Sequence, residues 1–189
     1  MKTAYKFAFL FLTLPLWISC NNSAKDGAAD SASENAEVST VKTGQAYVKD
    51  DESADNVLDV ALGSPDHTTL VAGVQAAELE NALVNAGPLM VFAPTNAAFD
   101  ALPEGTLDNL LKPENKDQLA FILKHHVTPG NYSKDFLKKF KKLGQASNLN
   151  IPVEVKGDDV YVGGAKILAS VPASNGIVHV VDAVIIPEN

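Results

Sequence analysis

The sequence predicts an α+β domain, helical in its first half and β-rich in its second, and three observations carry that prediction. From Asn56 to Leu123, apolar residues recur at helical spacing behind capping residues. From Ile151 onward the apolar period shortens to two. One short continuous apolar run, Leu89-Met90-Val91-Phe92, interrupts the helical half and reads as a buried strand. Helices early, strands late and one early strand form an α+β pattern.

The elements follow in chain order. Asn56 is placed to cap Val57–Leu62. Thr68 or Thr69 begins a stretch carrying Leu70, Val71, Val74, Leu79, Leu83 and Val84, with a break expected around Gln75–Glu78 and an end at Pro88. Thr95, after the early strand, caps a helix through Phe99 to Leu102. Pro103-Glu104-Gly105-Thr106 restarts a helix at Leu107, Leu110 and Leu111. Pro113-Glu114-Asn115 opens a longer one with Leu119, Ile122 and Leu123 inward. In the second half Ile151, Val153 and Val155 alternate with polar residues, and Lys156–Asp159 turns the chain into Val160-Tyr161-Val162. Gly163-Gly164 turns it again before Lys166–Ser170. Ser174-Asn175-Gly176 is a tight turn into Ile177–Val181, with φ > 0 expected at the glycine, and Ala183-Val184-Ile185-Ile186 follows.

Length and charge bound the function. A chain of 189 residues holds one ordinary domain plus a tail. Its 15 basic residues are all lysine, against 23 acids, for a net charge of −8. Nucleic-acid recognition leans on arginine's bidentate fork and a basic field, so a nucleic-acid partner is not expected. The single cysteine, Cys20, forbids an intramolecular disulfide.

The N-terminus reads as an address. A cationic start with Lys2 and Lys6 precedes the apolar run Phe7–Ile18, too short to span a bilayer of about 30 Å as a helix. The run ends at Ser19-Cys20, which resembles the lipobox of bacterial lipoproteins. That resemblance implies cleavage before Cys20, acylation of its thiol and amine, and a membrane partner for the N-terminal lipid. An ordinary signal peptide with an incidental cysteine is the alternative. Loss of residues 1–19 removes two lysines and no acid, taking the charge to about −10. Residues 20–55 then form a lipidated, acidic spacer of small residues, expected to be disordered; a short ordered arm near Gln45-Ala46-Tyr47-Val48 is the alternative. Residues 56–189 form the domain. Asn21 is not the aspartate that in some bacteria retains lipoproteins at the inner membrane, so an exported, envelope location at the outer membrane or cell surface is favoured.

Three ordered motifs carry a family resemblance. Val91-Phe92-Ala93-Pro94-Thr95-Asn96-Ala97-Ala98-Phe99 resembles the first signature of fasciclin (FAS1) domains, and Asn175-Gly176-Ile177-Val178-His179-Val180-Val181-Asp182 resembles the second. Between them, Leu123-Lys124-His125-His126-Val127-Thr128-Pro129-Gly130 is similar to the family's L-x-Y-H-V-x-P-G. The resemblance spans about Asn56 to Pro187. It implies a β-wedge with helices packed around it, and an extracellular or envelope adhesion module that meets a protein or polysaccharide partner through a surface. It implies no catalysis and no cofactor. His125 replaces the tyrosine of the family's Tyr-His pair, associated in animal members with integrin recognition, so an integrin partner is not implied.

The candidate site residues divide by chemistry. Thr95, Asn96, Asn175, Gly176, His179 and Asp182 belong to the signatures and read as structural. His125 and His126 are candidates for partner binding and close a helix, where a cation is favoured by the helix dipole; His126 could equally donate to a backbone carbonyl and lock the Pro-Gly loop. Adjacent helical residues point about 100° apart, which makes the two a poor metal pair, and no metal site is expected. Lys134–Lys142 is the one basic run, read as an amphipathic helix with Phe136, Leu137 and Phe140 on one face. Its Lys138, Lys139, Lys141 and Lys142 are candidates for an acidic polysaccharide, headgroup or protein partner. The chain has no G-x-S-x-G or H-E-x-x-H motif, so it is not read as an enzyme. Two alternatives stand beside the adhesion reading: a small hydrolase or other small-molecule enzyme using a His/carboxylate site, for example His126, His179 and Asp182, and a structural envelope protein without a discrete ligand.

Overall fold

The computed structural model describes Ala46 and residues 54–187. The segment read from the sequence as an export signal, Cys20 and most of the segment read as a spacer lie outside these residues. Of the arm considered near residues 45–48, Ala46 alone is described; its N–H donates to Asn81 Oδ1 at 3.3 Å.

The elements run α1 (Val57–Leu62), a 3-10 turn (Pro65–His67), α2 (Thr68–Ala76), α3 (Glu80–Asn85), β1 (Leu89–Pro94), α4 (Asn96–Asp100), α5 (Thr106–Leu110), a second 3-10 turn (Pro113–Asn115) and α6 (Lys116–His125). They continue with β2 (Val127–Pro129), α7 (Lys134–Leu137), β3 (Lys142–Gly144), β4 (Asn150–Lys156), β5 (Asp159–Val162), β6 (Ala165–Ala173) and β7 (Gly176–Val181). Asn56 caps α1 as expected: its Oδ1 accepts from the N–H groups of Leu58 and Asp59, while the Asp59 carboxylate accepts the Asn56 N–H. Glu78, at φ 54°, breaks the chain between α2 and α3 at the expected place. Thr95 caps α4 by accepting from the Ala98 N–H.

Seven strands form one sheet in the order β2-β1-β7-β6-β5-β4-β3. Every junction is antiparallel except β1–β7, which is parallel in the register Leu89↔Gly176 to Pro94↔Val181. The two edge strands meet: the Ala146 N–H donates to Val127 O at 2.7 Å, and Thr128 Oγ1 donates to Gln145 Oε1 at 2.9 Å.

Both faces of β1 are buried, and this explains its unbroken apolar run. Met90 and Phe92 enter a core inside the curved sheet with Leu137, Ile151, Val160 and Ile167. Val91 and Ala93 face the other way, into a core shared with Leu58, Leu70, Val74, Leu119 and Leu123 of the helices. Alternation thus serves two cores rather than a core and solvent.

Three expectations are corrected, and two strands go unanticipated. β2 and β3 are strands of three residues each, too short to show a period. Val155 is 44% exposed, because β4 outruns the core after Val153. Ala183–Ile186 forms no strand, although Ile185 is buried. Gly176 does not have positive φ. A Cβ there would lie 1.8 Å from Leu89 O, so glycine is required for close approach of β7 to β1.

The Gly176→Ala variant should therefore lose at least about 3 kcal/mol in urea unfolding or fail to fold. Gly144→Ala, whose Cβ would meet only ordinary contact at 3.6 Å, should stay within about 0.5 kcal/mol of wild type. Equal unfolding midpoints for the two variants would refute the assignment.

Candidate functional site

The histidine pair ends α6, and packing removes both rings from the surface. His125 and His126 are each only 3% exposed. His125 Nδ1 bonds Ser147 Oγ at 2.8 Å. His126 Nδ1 lies 2.9 Å from Ile122 O, and its Nε2 lies 2.9 Å from the Ile185 N–H. A carbonyl only accepts and an amide N–H only donates, so Nδ1 carries the proton and Nε2 is bare. The ring is neutral; burial depresses its pKa to about 4. The helix-dipole reading, which needs a cation, is corrected on this point. The ring does bond a backbone carbonyl, but what it fastens to α6 is the C-terminal segment at Ile185 rather than the Pro-Gly loop. Neither ring is presented to a partner.

His179 is fully buried on β7 and stacks on Phe92 at 5.8 Å between centroids. Its Nε2–H donates to Tyr132 O at 2.9 Å, and Nδ1 accepts from Ser170 Oγ at 2.7 Å. Asp182 Oδ1 accepts from the Lys166 N–H at 2.8 Å. These bonds commit His126, His179 and Asp182 to separate partners. Among the described residues no three His, Cys, Asp or Glu side chains converge to hold a metal ion.

The two signature asparagines act as cross-links between helices. Asn96 Oδ1 accepts from the Thr69 N–H at 3.0 Å and from Thr68 Oγ1 at 3.2 Å, while its Nδ2 donates to Pro65 O at 3.0 Å. Asn175 Oδ1 accepts from the Val57 N–H at 2.9 Å, and its Nδ2 donates to Leu83 O at 2.7 Å. The first ties α4 to the start of α2; the second ties the β6–β7 turn to α1 and α3. Each side chain supplies both a donor and an acceptor, which an aspartate could not do.

The basic run departs from its expected form. α7 covers only Lys134–Leu137, with Ser133 Oγ accepting from the Phe136 N–H, and Lys142 already belongs to β3. A single amphipathic helix over 134–142 is thus corrected, because Leu137 enters the sheet core and the chain must turn to pair with β4. Leu137 is fully buried, whereas Phe136 is 42% exposed. Tyr132, Phe136 and Phe140 form a ring cluster with centroids 5.1 to 5.5 Å apart. Lys139 Nζ sits 4.9 Å over the Phe136 ring, and Lys138 pairs with Asp135 at 3.0 Å. Lys141 and Lys142 are exposed, and Lys142 lines an open groove of about 420 Å³ with Tyr132, Phe140, Thr128 and Gln145. Tyr132 was not singled out from the sequence, although its i, i+4, i+8 spacing with Phe136 and Phe140 was there to read.

The buried rings make stability depend on pH. His67, His125, His126 and His179 all have pKa values lowered, chiefly by burial. Between pH 6.5 and about 4 the unfolded chain therefore binds more protons, so stability present at neutral pH falls as the pH falls through that window. His126 contributes on the order of 3 kcal/mol to that loss. Urea unfolding at pH 7 and pH 4.5 should show it, with a flatter profile for His126→Gln; equal slopes would contradict the buried neutral ring.

Comparison with known proteins agrees with this architecture. The Fasciclin domain family matches residues 65–187. Protein sll1483 of Synechocystis sp. is 45% identical over 137 residues, covering 72% of this chain and 76% of that one. The transforming growth factor-beta-induced protein ig-h3 of Sus scrofa is 36% identical over 132 residues, 69% of this chain and 19% of that longer protein. The cell surface glycolipoprotein MPB83 of Mycobacterium bovis is 34% identical over 104 residues, covering 55% of this chain and 46% of the other. With both signatures placed on adjacent strands and the family match spanning most of the domain, the chain belongs to the fasciclin domain family.

Proposed function

We propose that this protein is a lipid-anchored, extracytoplasmic adhesion module whose partner is an acidic polysaccharide, bound on the face built from Tyr132, Phe136, Phe140 and Lys138–Lys142. Fasciclin domains are extracellular modules of the cell-adhesion type, which supports an adhesion reading. The observation that carries the finer reading is the exposed Phe136 ring, braced by two aromatic neighbours and flanked by exposed lysines in a chain of net charge −8. The exposed part of the Phe136 ring offers apolar contact to a sugar, and Lys139, which lies over that ring, Lys141 and Lys142 offer cations to its carboxylates. The groove beside it, walled by Tyr132, Phe140 and Lys142, extends the same chemistry. Anchoring rests on the apolar run Phe7–Ile18 and Cys20, and the related MPB83 is named a cell surface glycolipoprotein.

Binding to polygalacturonate should be saturable and should weaken with salt. Phe136→Ala, and separately the charge reversal of Lys139, Lys141 and Lys142 to Glu, should each cost about tenfold in affinity. Absence of saturable binding to any acidic glycan, with capture of a protein partner instead or of none, would reject the polysaccharide. For the anchor, Cys20→Ser should release the protein from the membrane fraction and abolish incorporation of an alkyne-labelled palmitate; unchanged fractionation would count against lipidation.

A further inference from the structure

A cavity of about 220 Å³ lies between α1, α2, α3, α6 and β1, distinct from the groove beside Tyr132 and Phe140. Its floor is made of buried apolar side chains, among them Leu70, Val74, Leu89 and Val91. Native interiors rarely leave voids larger than a water molecule, and an apolar cavity of about 150 Å³ is enough to hold benzene. The space comes from small residues at the rim: Ala82, Ala86 and Ala146 are exposed where longer side chains would close it.

The wall carries just two polar side chains. His126 is neutral and both of its ring nitrogens are bonded within the protein, so it offers a ligand nothing. Lys124 is exposed at the rim and makes no ion pair among the described residues, and no Asp or Glu lines the cavity. An aliphatic chamber with one cation at its mouth is complementary to an apolar tail with one anionic end. Scaled from the benzene case, the volume suits a tail of about eight to ten carbons.

We propose that this cavity binds a medium-chain carboxylate, its hydrocarbon tail among the α1, α2, α3 and β1 side chains and its head against Lys124. Octanoate is the probe, with 1-octanol as the uncharged tail of equal length and butyrate as the head with too little tail. Methyl-detected NMR on the whole protein should show saturable shifts confined to the cavity's Val and Leu methyls with octanoate and octanol, and none with butyrate. Ala82→Phe fills the chamber and should abolish both responses while the rest of the spectrum is kept. If that variant does not fold, Ala86→Leu narrows the same rim and should weaken both. Lys124→Glu should weaken octanoate about fivefold and leave octanol unchanged. No saturable shift with octanoate or octanol, or the same shifts in the filled variants, would overturn the site. An equal response of both probes to Lys124→Glu would overturn the carboxylate.

Discussion

The parallel contact between β1 and β7 is the constraint on which the rest of the domain depends. It joins residues 87 positions apart, so nearly the whole sheet and half of the helices lie within the loop it closes. Parallel strands are stable when covered on both faces, and β1 meets that requirement by sending Met90 and Phe92 into one core and Val91 and Ala93 into the other. The contact in turn requires a residue without a side chain at 176, because the Leu89 carbonyl occupies the place where a Cβ would stand. Asn175, one residue earlier, uses the same close approach to reach the N-terminus of α1 and the last carbonyls of α3. A single dipeptide therefore sets both the sheet's central register and the seating of the first helices.

The sequence made the long elements readable because their periodicity exceeds the noise of a few residues. α1 with its Asn56 cap, the break before α3, the Thr95 cap and the hairpins from β4 to β7 are all local statements, and local physics decides them. β2 and β3 were invisible for a different reason. Each has three residues, and each is a strand because a partner strand lies beside it, not because its own composition asks for one. The Lys134–Lys142 segment shows the same override. Helical spacing is present in full, yet one turn is all that survives, since Leu137 must reach the sheet core and Lys142 must pair with Pro152.

Charge states were less legible than elements. A histidine at a helix C-terminus is favoured as a cation when water can reach it, and His126 stands at such an end. What reverses the expectation is Ile185, 59 residues away in sequence, whose N–H demands a bare ring nitrogen and whose side chain shares the burial. His179 follows the same logic on β7, where a carbonyl from Tyr132 and a hydroxyl from Ser170 fix one neutral tautomer. The signature histidines are thus fasteners between elements distant in the chain, and their chemistry is spent inside the fold. The ring cluster is the opposite case. Its three aromatics were in plain view at regular spacing, but exposure of Phe136 is settled by which neighbour takes the core position, and that neighbour is Leu137.

The seam between the sheet's two edges connects these regions. Val127 and Ala146, joined by a 2.7 Å backbone hydrogen bond, wall the apolar cavity. Their chain neighbours Thr128 and Gln145, joined by a side-chain bond, wall the groove beside Tyr132 and Phe140. Alternation along β2 points successive residues to opposite sides, so two adjacent bonds that close the sheet also divide one chamber from the other. His126 caps α6 directly before this seam, and its ring accepts the Ile185 N–H at 2.9 Å, so the seam starts from a residue bonded to the C-terminal segment. A short strand with no readable period of its own is therefore the partition between the apolar cavity and the cationic outer face, and its position is inherited from the β1 strand it pairs with.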